Sequence, residues 1–164
     1  MKKIALILLL SGFFFANAFA QNAPRIQRAY AYYSMNMPGM IMQDDNGNPV
    51  DPVITIDRSM YVECQGTKMP DIRTITYDNI LYKTSITKVM ERTIQVGKKA
   101  DSGTEIVLAA KKGNSFWKLD LQLTKDTDKA PKVVKHIVIQ GRNNKRPYSF
   151  YLYNETRLMV PERY

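Results

Sequence analysis

From residue 26 onward, apolar positions alternate with polar ones instead of recurring every third or fourth residue. Alternation marks strands that bury one face, because successive side chains leave a pleated backbone on opposite sides. Runs of this kind, rich in β-branched and aromatic residues, occupy 26–35, 54–64, 72–77, 80–90, 93–96, 104–111, 115–124, 132–140 and 147–154. Turn chemistry separates them: "DDNGNPVDP", "QGTKMPD", "KKADSG", "KKGN", "KDTDKAP" and "GRNNKRP" all carry the Gly, Pro, Asn and Asp that reverse a chain. No sustained helical period is present. The pattern predicts an all-β domain, either an antiparallel β-sandwich or a small soluble barrel of eight or nine short strands.

The sharpest local unit is "TEIVLAAKKGNSFWKLDLQL". Trp117, Leu119, Leu121 and Leu123 share one strand face, opposite Phe116, Lys118, Asp120 and Gln122. A two-residue turn at Gly113-Asn114 would set Ala110 against Trp117 and Leu108 against Leu119, with the apolar faces matched, and a turn centred on Lys112-Gly113 keeps the same parity, so the pattern leaves both open. The inward series predicts Trp117 as core. In 54–64, Ile54, Ile56, Met60, Val62 and Cys64 share a parity, and Arg58 interrupts that apolar series.

The first twenty residues break this pattern. Lys2 and Lys3 precede an apolar stretch, and Ala18-Phe19-Ala20 forms a small-x-small cleavage site. This arrangement is read as a secretory signal peptide over 1–20, leaving 21–164 as a single domain exported to the periplasm or the extracellular space. The apolar stretch falls short of the ~20 residues that a membrane span needs, and no later segment supplies one. A membrane barrel is disfavoured because 72–77 and 93–96 are short and Pro161 and Glu162 would spoil a final strand.

Charge then narrows the partners. The whole chain carries +9, and loss of Lys2 and Lys3 lowers that by only two. Export argues against nucleic acid and for an anionic or glycan polymer, or an acidic envelope protein. Oligomeric state is left open.

Candidate chemistry is sparse. Cys64 is the sole cysteine, so no intrachain disulfide can form, and its parity predicts a buried small hydrophobe. Intermolecular cross-linking and a Cys64/His136 catalytic pair are the alternatives. His136, the only histidine, is expected half-buried on a strand. One cysteine and one histidine do not make a zinc site, so neither metal nor cofactor is expected. "DDNGN" reads as an Asn-Gly turn, with a surface calcium on Asp44, Asp45 and Asn46 as the alternative.

Asp101-Ser102-Gly103-Thr104 resembles the D-[ST]-G-[TA] catalytic signature of retroviral-type aspartic proteases, and Gly141-Arg142-Asn143 resembles a later segment of that family. The resemblance implies a homodimer in which Asp101 is half of a carboxylate dyad. The chain departs from the family where Lys98-Lys99-Ala100 stands in place of an apolar strand end, and a turn accounts for the same residues.

Two aromatic clusters remain, "AYAYYSM" with Tyr30, Tyr32 and Tyr33, and "PYSFYLY" with Tyr148, Phe150, Tyr151 and Tyr153. Tyrosine joins an apolar ring to a polar tip, which suits protein partners and sugar rings. Tyr30, Tyr32, Tyr148, Tyr151 and Tyr153 are therefore the candidate binding residues. The leading expectation is a non-catalytic interaction module for an envelope protein partner. The alternatives are a glycan or peptidoglycan binder and, behind it, an aspartic-protease-like enzyme using Asp101.

Overall fold

A computed structural model describes residues 25–36, 42–50, 54–124 and 134–160. Among them every regular element is a strand. They are β1 (Ile26–Asn36), β2 (Met42–Gln43), β3 (Pro49–Val50), β4 (Thr55–Gln65), β5 (Asp71–Tyr77), β6 (Ile80–Lys88), β7 (Thr93–Lys98), β8 (Glu105–Ala109), β9 (Asn114–Leu123), β10 (Ile137–Asn143), β11 (Arg146–Leu152) and β12 (Thr156–Arg157). Each of the nine expected runs contains a strand, although the run expected over 132–140 is strand only from Ile137 and its first two residues lie outside the described residues. Three two-residue strands, β2, β3 and β12, are additional.

Local turn chemistry sets the hairpins. Asp78-Asn79 and Asn144-Lys145 adopt positive φ at both positions, the type I′ geometry that joins β5 to β6 and β10 to β11. Gly113 takes φ +85°, and the Asn114 N–H donates to the Lys111 carbonyl over 3.0 Å, closing the turn before β9.

Eight strands form one sheet in the order β11-β10-β5-β6-β9-β4-β1-β12. All neighbours run antiparallel except β12, which lies parallel to β1 through Tyr32↔Thr156 and Tyr33↔Arg157. The sheet is therefore mixed, and it curls into a half-barrel. Its two edge strands are consecutive in the chain, with only Tyr153, Asn154 and Glu155 between them. Four residue steps reach no more than about 14 Å, so the opposite edges must approach one another.

The expected pairing of 104–111 with 115–124 does not occur. β8 pairs with β7, and β9 lies between β4 and β6, where Trp117 faces Val62 and Lys88. The inward series on β9 meets Met60 and Val62 on one side and Ile86 on the other, so both edges of β9 gain apolar neighbours. Matched parity alone could not choose among strands that share the same alternation.

Two apolar clusters follow from the pleat. The concave face buries Met60, Val62, Cys64, Ile75, Tyr77, Trp117, Leu119, Ile137 and Ile139. The β7–β8 hairpin covers the convex face of β1, β4 and β9, enclosing Tyr32, Tyr61, Leu108 and Phe116. Leu158 joins this second cluster, and the chain after β12 bonds back to the hairpin, with the Met159 N–H donating to the Lys98 carbonyl and the Ala100 N–H to that of Arg157.

Arg58, which breaks the apolar series of β4, is 3% exposed on the concave face. Its Nε and Nη2 donate to the two carboxylate oxygens of Glu155 at 3.0 and 2.8 Å, and its Nη1 donates to Tyr82 Oη at 3.0 Å. The rings of Tyr33, Tyr77 and Tyr82 lie within 5.1–5.9 Å of the guanidinium. A buried cation is tolerable only when paired and hydrogen-bonded, and the fork geometry of arginine meets both conditions here. The pair spans 97 positions and holds the 153–155 connection across the end of the curl.

Two predictions follow from this packing. Glu155→Ala removes the carboxylate that faces the buried Arg58 guanidinium and should cost about 3–5 kcal/mol in urea unfolding, whereas replacing Arg58 and Glu155 together by methionine should recover most of that loss. Gly141→Ala should cost about 1–3 kcal/mol, because a Cβ there would stand 2.0 Å from the Asp71 carbonyl oxygen and 2.7 Å from the Tyr148 hydroxyl.

Candidate functional site

The pleat separates the candidate tyrosines instead of gathering them. Tyr32 is 3% exposed beneath the hairpin, its ring meeting that of Tyr61 edge-on at 6.1 Å. Tyr30 lies half-buried at the margin of the same cluster, with the Arg28 guanidinium 5.8 Å from its ring. Tyr148 turns to the concave side and packs over Gly141, the backbone position that its ring requires to be bare. Tyr151 and Tyr153 alone are strongly exposed, at 57% and 68%. Tyr153 also meets the His136 ring edge-on at 5.9 Å.

A different grouping emerges across strands. The register aligns Tyr151 with Val138, Val138 with Thr76, and Thr76 with Leu81. Their strand neighbours Ile137, Ile139, Ile75, Tyr77 and Tyr82 are buried, so these four residues form one row on the convex side. Leu81 is 40% exposed and Tyr151 57%, so the row ends in two exposed apolar side chains. Beside this row runs a polar one, Ser149, Gln140 and Thr74, in which the Thr74 hydroxyl donates to Gln140 Oε1 at 2.9 Å. Exposed Lys83 and Lys135 stand near the rows. The β7–β8 hairpin does not reach this half of the sheet.

The seam between the sheet edges is a second concavity. A cleft of about 440 Å³ has Arg25 to Gln27 along one wall and Tyr148 to Phe150 along the other, with Asn143 at its end.

The remaining candidates have local explanations. Cys64 is fully buried opposite Ile26, and burial, then the neighbouring Glu63 charge, pushes its thiol up to about 12. His136 is exposed rather than half-buried, since β10 begins only at Ile137. The Asp78 carboxylate accepts from the Lys135 and His136 N–H groups and draws the chain out before the strand starts. Asp101 sits exposed at the tip of the β7–β8 hairpin, where Gly103 N–H donates to the Lys99 carbonyl and Ser102 Oγ accepts from Thr104 N–H. Asp44 accepts from the Asn46 and Asn48 N–H groups and from Asn48 Nδ2, the Asx chemistry of the expected turn. No cluster of three or more His, Cys, Asp or Glu side chains suited to a metal occurs among the described residues.

Pattern reading did not single out Glu63. It is fully buried on the convex side of β4, where it binds Arg28, the Lys111 N–H at 2.9 Å and Asn114 Nδ2 at 2.6 Å. Burial alone would raise its pKa, but these three donors outweigh that and hold it below its ordinary value. Glu63 thereby ties β1 and β4 to the turn that carries the hairpin back into the sheet.

Comparison with protein families, curated proteins and solved structures finds no match to this chain.

Both ends of the pH scale should therefore destabilise the domain. Glu63 and Asp78 are held below their ordinary values of 4.5 and 3.8. Their stabilisation is complete above pH ~4.5 and is lost as pH falls through the folded values. Burial raises Tyr32, Tyr148 and Cys64 to about 12. That contribution is complete below pH ~9 and is lost as pH rises toward 12. Thermal melts across pH 3–11 should show a plateau between these limits. At pH 8 a thiol reagent should label Cys64 only after denaturant is added.

Proposed function

We propose that this chain is an exported, non-catalytic binding module that engages an envelope protein partner through the bare half of its convex sheet face. The observation that carries the reading is the Tyr151–Val138–Thr76–Leu81 row. The sheet covers one half of its convex side with its own hairpin, and among the described residues no strand lies over this row on the other half, where Tyr151 and Leu81 are exposed and Val138 and Thr76 half-buried. An aromatic and aliphatic strip with lysines nearby suits a protein surface with an apolar centre and an acidic rim. Export rests on the leader pattern of residues 1–20, which lie outside the described residues. No helix among the described residues is long and apolar enough to cross a membrane. The convex faces of β6 and β9 carry Lys83, Ser85, Lys118, Asp120 and Gln122, a composition that favours a small soluble barrel over a lipid-facing one.

A glycan is the second reading, favoured by the hydroxyl and amide row Ser149, Gln140 and Thr74 beside the Tyr151 ring. That pairing offers stacking and hydrogen bonding to one sugar.

A photo-crosslinking residue at position 151 should trap a discrete protein from the native envelope fraction, while the same residue at Val107, exposed on the hairpin, should not. Leu81→Lys should reduce the trapped product at least fivefold. Equal trapping from both positions would sink the protein reading. Retention on a cell-wall polymer column that is lost in Tyr151→Ala would establish the glycan instead.

A further inference from the structure

The seam has a direction. Six antiparallel pairings lead from β11 through β10, β5, β6, β9 and β4 to β1. Six reversals restore the starting sense, so β1 and β11 run the same way on the two sides of the seam. β12 pairs with β1 only at Tyr32 and Tyr33, and β11 pairs only with β10. Among the described residues, the seam edge of β1 from Ile26 to Ala31 and the outer edge of β11 are therefore without a strand partner. An unpaired edge presents alternating backbone donors and acceptors to any extended chain of matching length. A strand placed between two walls of the same sense can run antiparallel to both.

Charge at the seam is one-sided. Arg25 belongs to one wall, and Arg142, Lys145 and Arg146 surround the β10–β11 turn at the same end of the sheet. All four are exposed, and among the described residues none is in an ion pair. The nearest acid by register, Asp71 opposite Arg142, already binds Arg73 at 3.0 Å. Among the described residues no carboxylate lines the cleft, whose walls offer Ile26 and Phe150 to apolar side chains and Gln27, Ser149 and Asn143 to polar ones.

We propose that the cleft in the seam is an acceptor for a short, extended, acidic peptide segment of a partner protein, which enters antiparallel to both β1 and β11 and adds a strand. Its entry spreads two walls that approach within 8 Å to the roughly 9.6 Å that an intervening strand needs. Its backbone supplies the missing ladder hydrogen bonds, and alternate side chains face the curl interior and solvent. Each wall of the present cleft is three residues long, about 10 Å at ~3.4 Å per residue, so three or four ligand residues form the bound centre. Acidic residues flanking that centre meet Arg25 and the Arg142–Arg146 turn. This inference does not rest on the convex-face reading, because Tyr151 points away from the seam.

The probe is a capped synthetic heptapeptide, Glu-Val-Glu-Ile-Glu-Val-Glu, with two controls: the same sequence with lysine for glutamate, and the acidic sequence N-methylated at alternate amides. The acidic peptide should bind the mature chain with a micromolar Kd and slow hydrogen exchange in 26–31 and 146–152. The lysine and N-methyl controls should bind at least tenfold more weakly. Arg25→Glu combined with Arg146→Glu should weaken the acidic peptide at least tenfold, and Tyr151→Ala should leave it unchanged. Equal binding of the N-methyl control would mean adsorption to a basic surface and would overturn the proposal. So would binding without protection of those two segments, or no binding at all.

Discussion

The curl of this sheet depends on a single buried ion pair. Eight strands of alternating pattern could lie in an open, twisted layer with both ends free. The Arg58 guanidinium opposes that, because it is buried and the carboxylate that takes its Nε and Nη2 donors comes from the connection at the edges of the sheet. The strand that brings Glu155 inward goes on to pair with β1 as β12, and Leu158 and Met159 then fasten it to the hairpin. One electrostatic requirement thus links the concave cage, the approach of the two edges and the covering of the convex face.

Glu63 plays the complementary part on the other side of the same strand. β4 carries two buried ionic groups, Arg58 toward the concavity and Glu63 toward the hairpin, at positions of opposite parity. Each satisfies donors or acceptors from segments distant in sequence: Glu155 and Tyr82 for one, Arg28, Lys111 and Asn114 for the other. Polar groups of this kind contribute less to net stability than apolar burial, but they discriminate among arrangements that bury the same apolar area. That matters here, since matched alternation on several strands leaves strand order undetermined by hydrophobicity alone.

This division explains what the amino-acid pattern could and could not disclose. Strand positions were legible because burial of one face imprints a period of two, and each of the nine expected runs contains a strand. Cys64 and Trp117 were legible as core for the same reason. The partner of β9 was not, since Leu108 and Val62 offer the same parity to Trp117. β12 was invisible because two residues carry no period, and Arg58 looked like a fault because its partner lies 97 positions away. The tyrosine clusters do not stay together, because neighbours in a strand point to opposite sides, so "PYSFYLY" divides between the interior and the surface. The convex row was hidden because its four members come from four strands and meet only through register.

The 97-residue reach of the Arg58–Glu155 contact also sets a kinetic expectation. Loop closure over such a distance must precede the reward, so this contact belongs among the late events of folding. Before it forms, the nascent sheet presents two unprotected borders, each competent to capture a neighbouring chain. Border-to-border capture is thus easiest while the chain is folding, before the seam brings the two edges against one another.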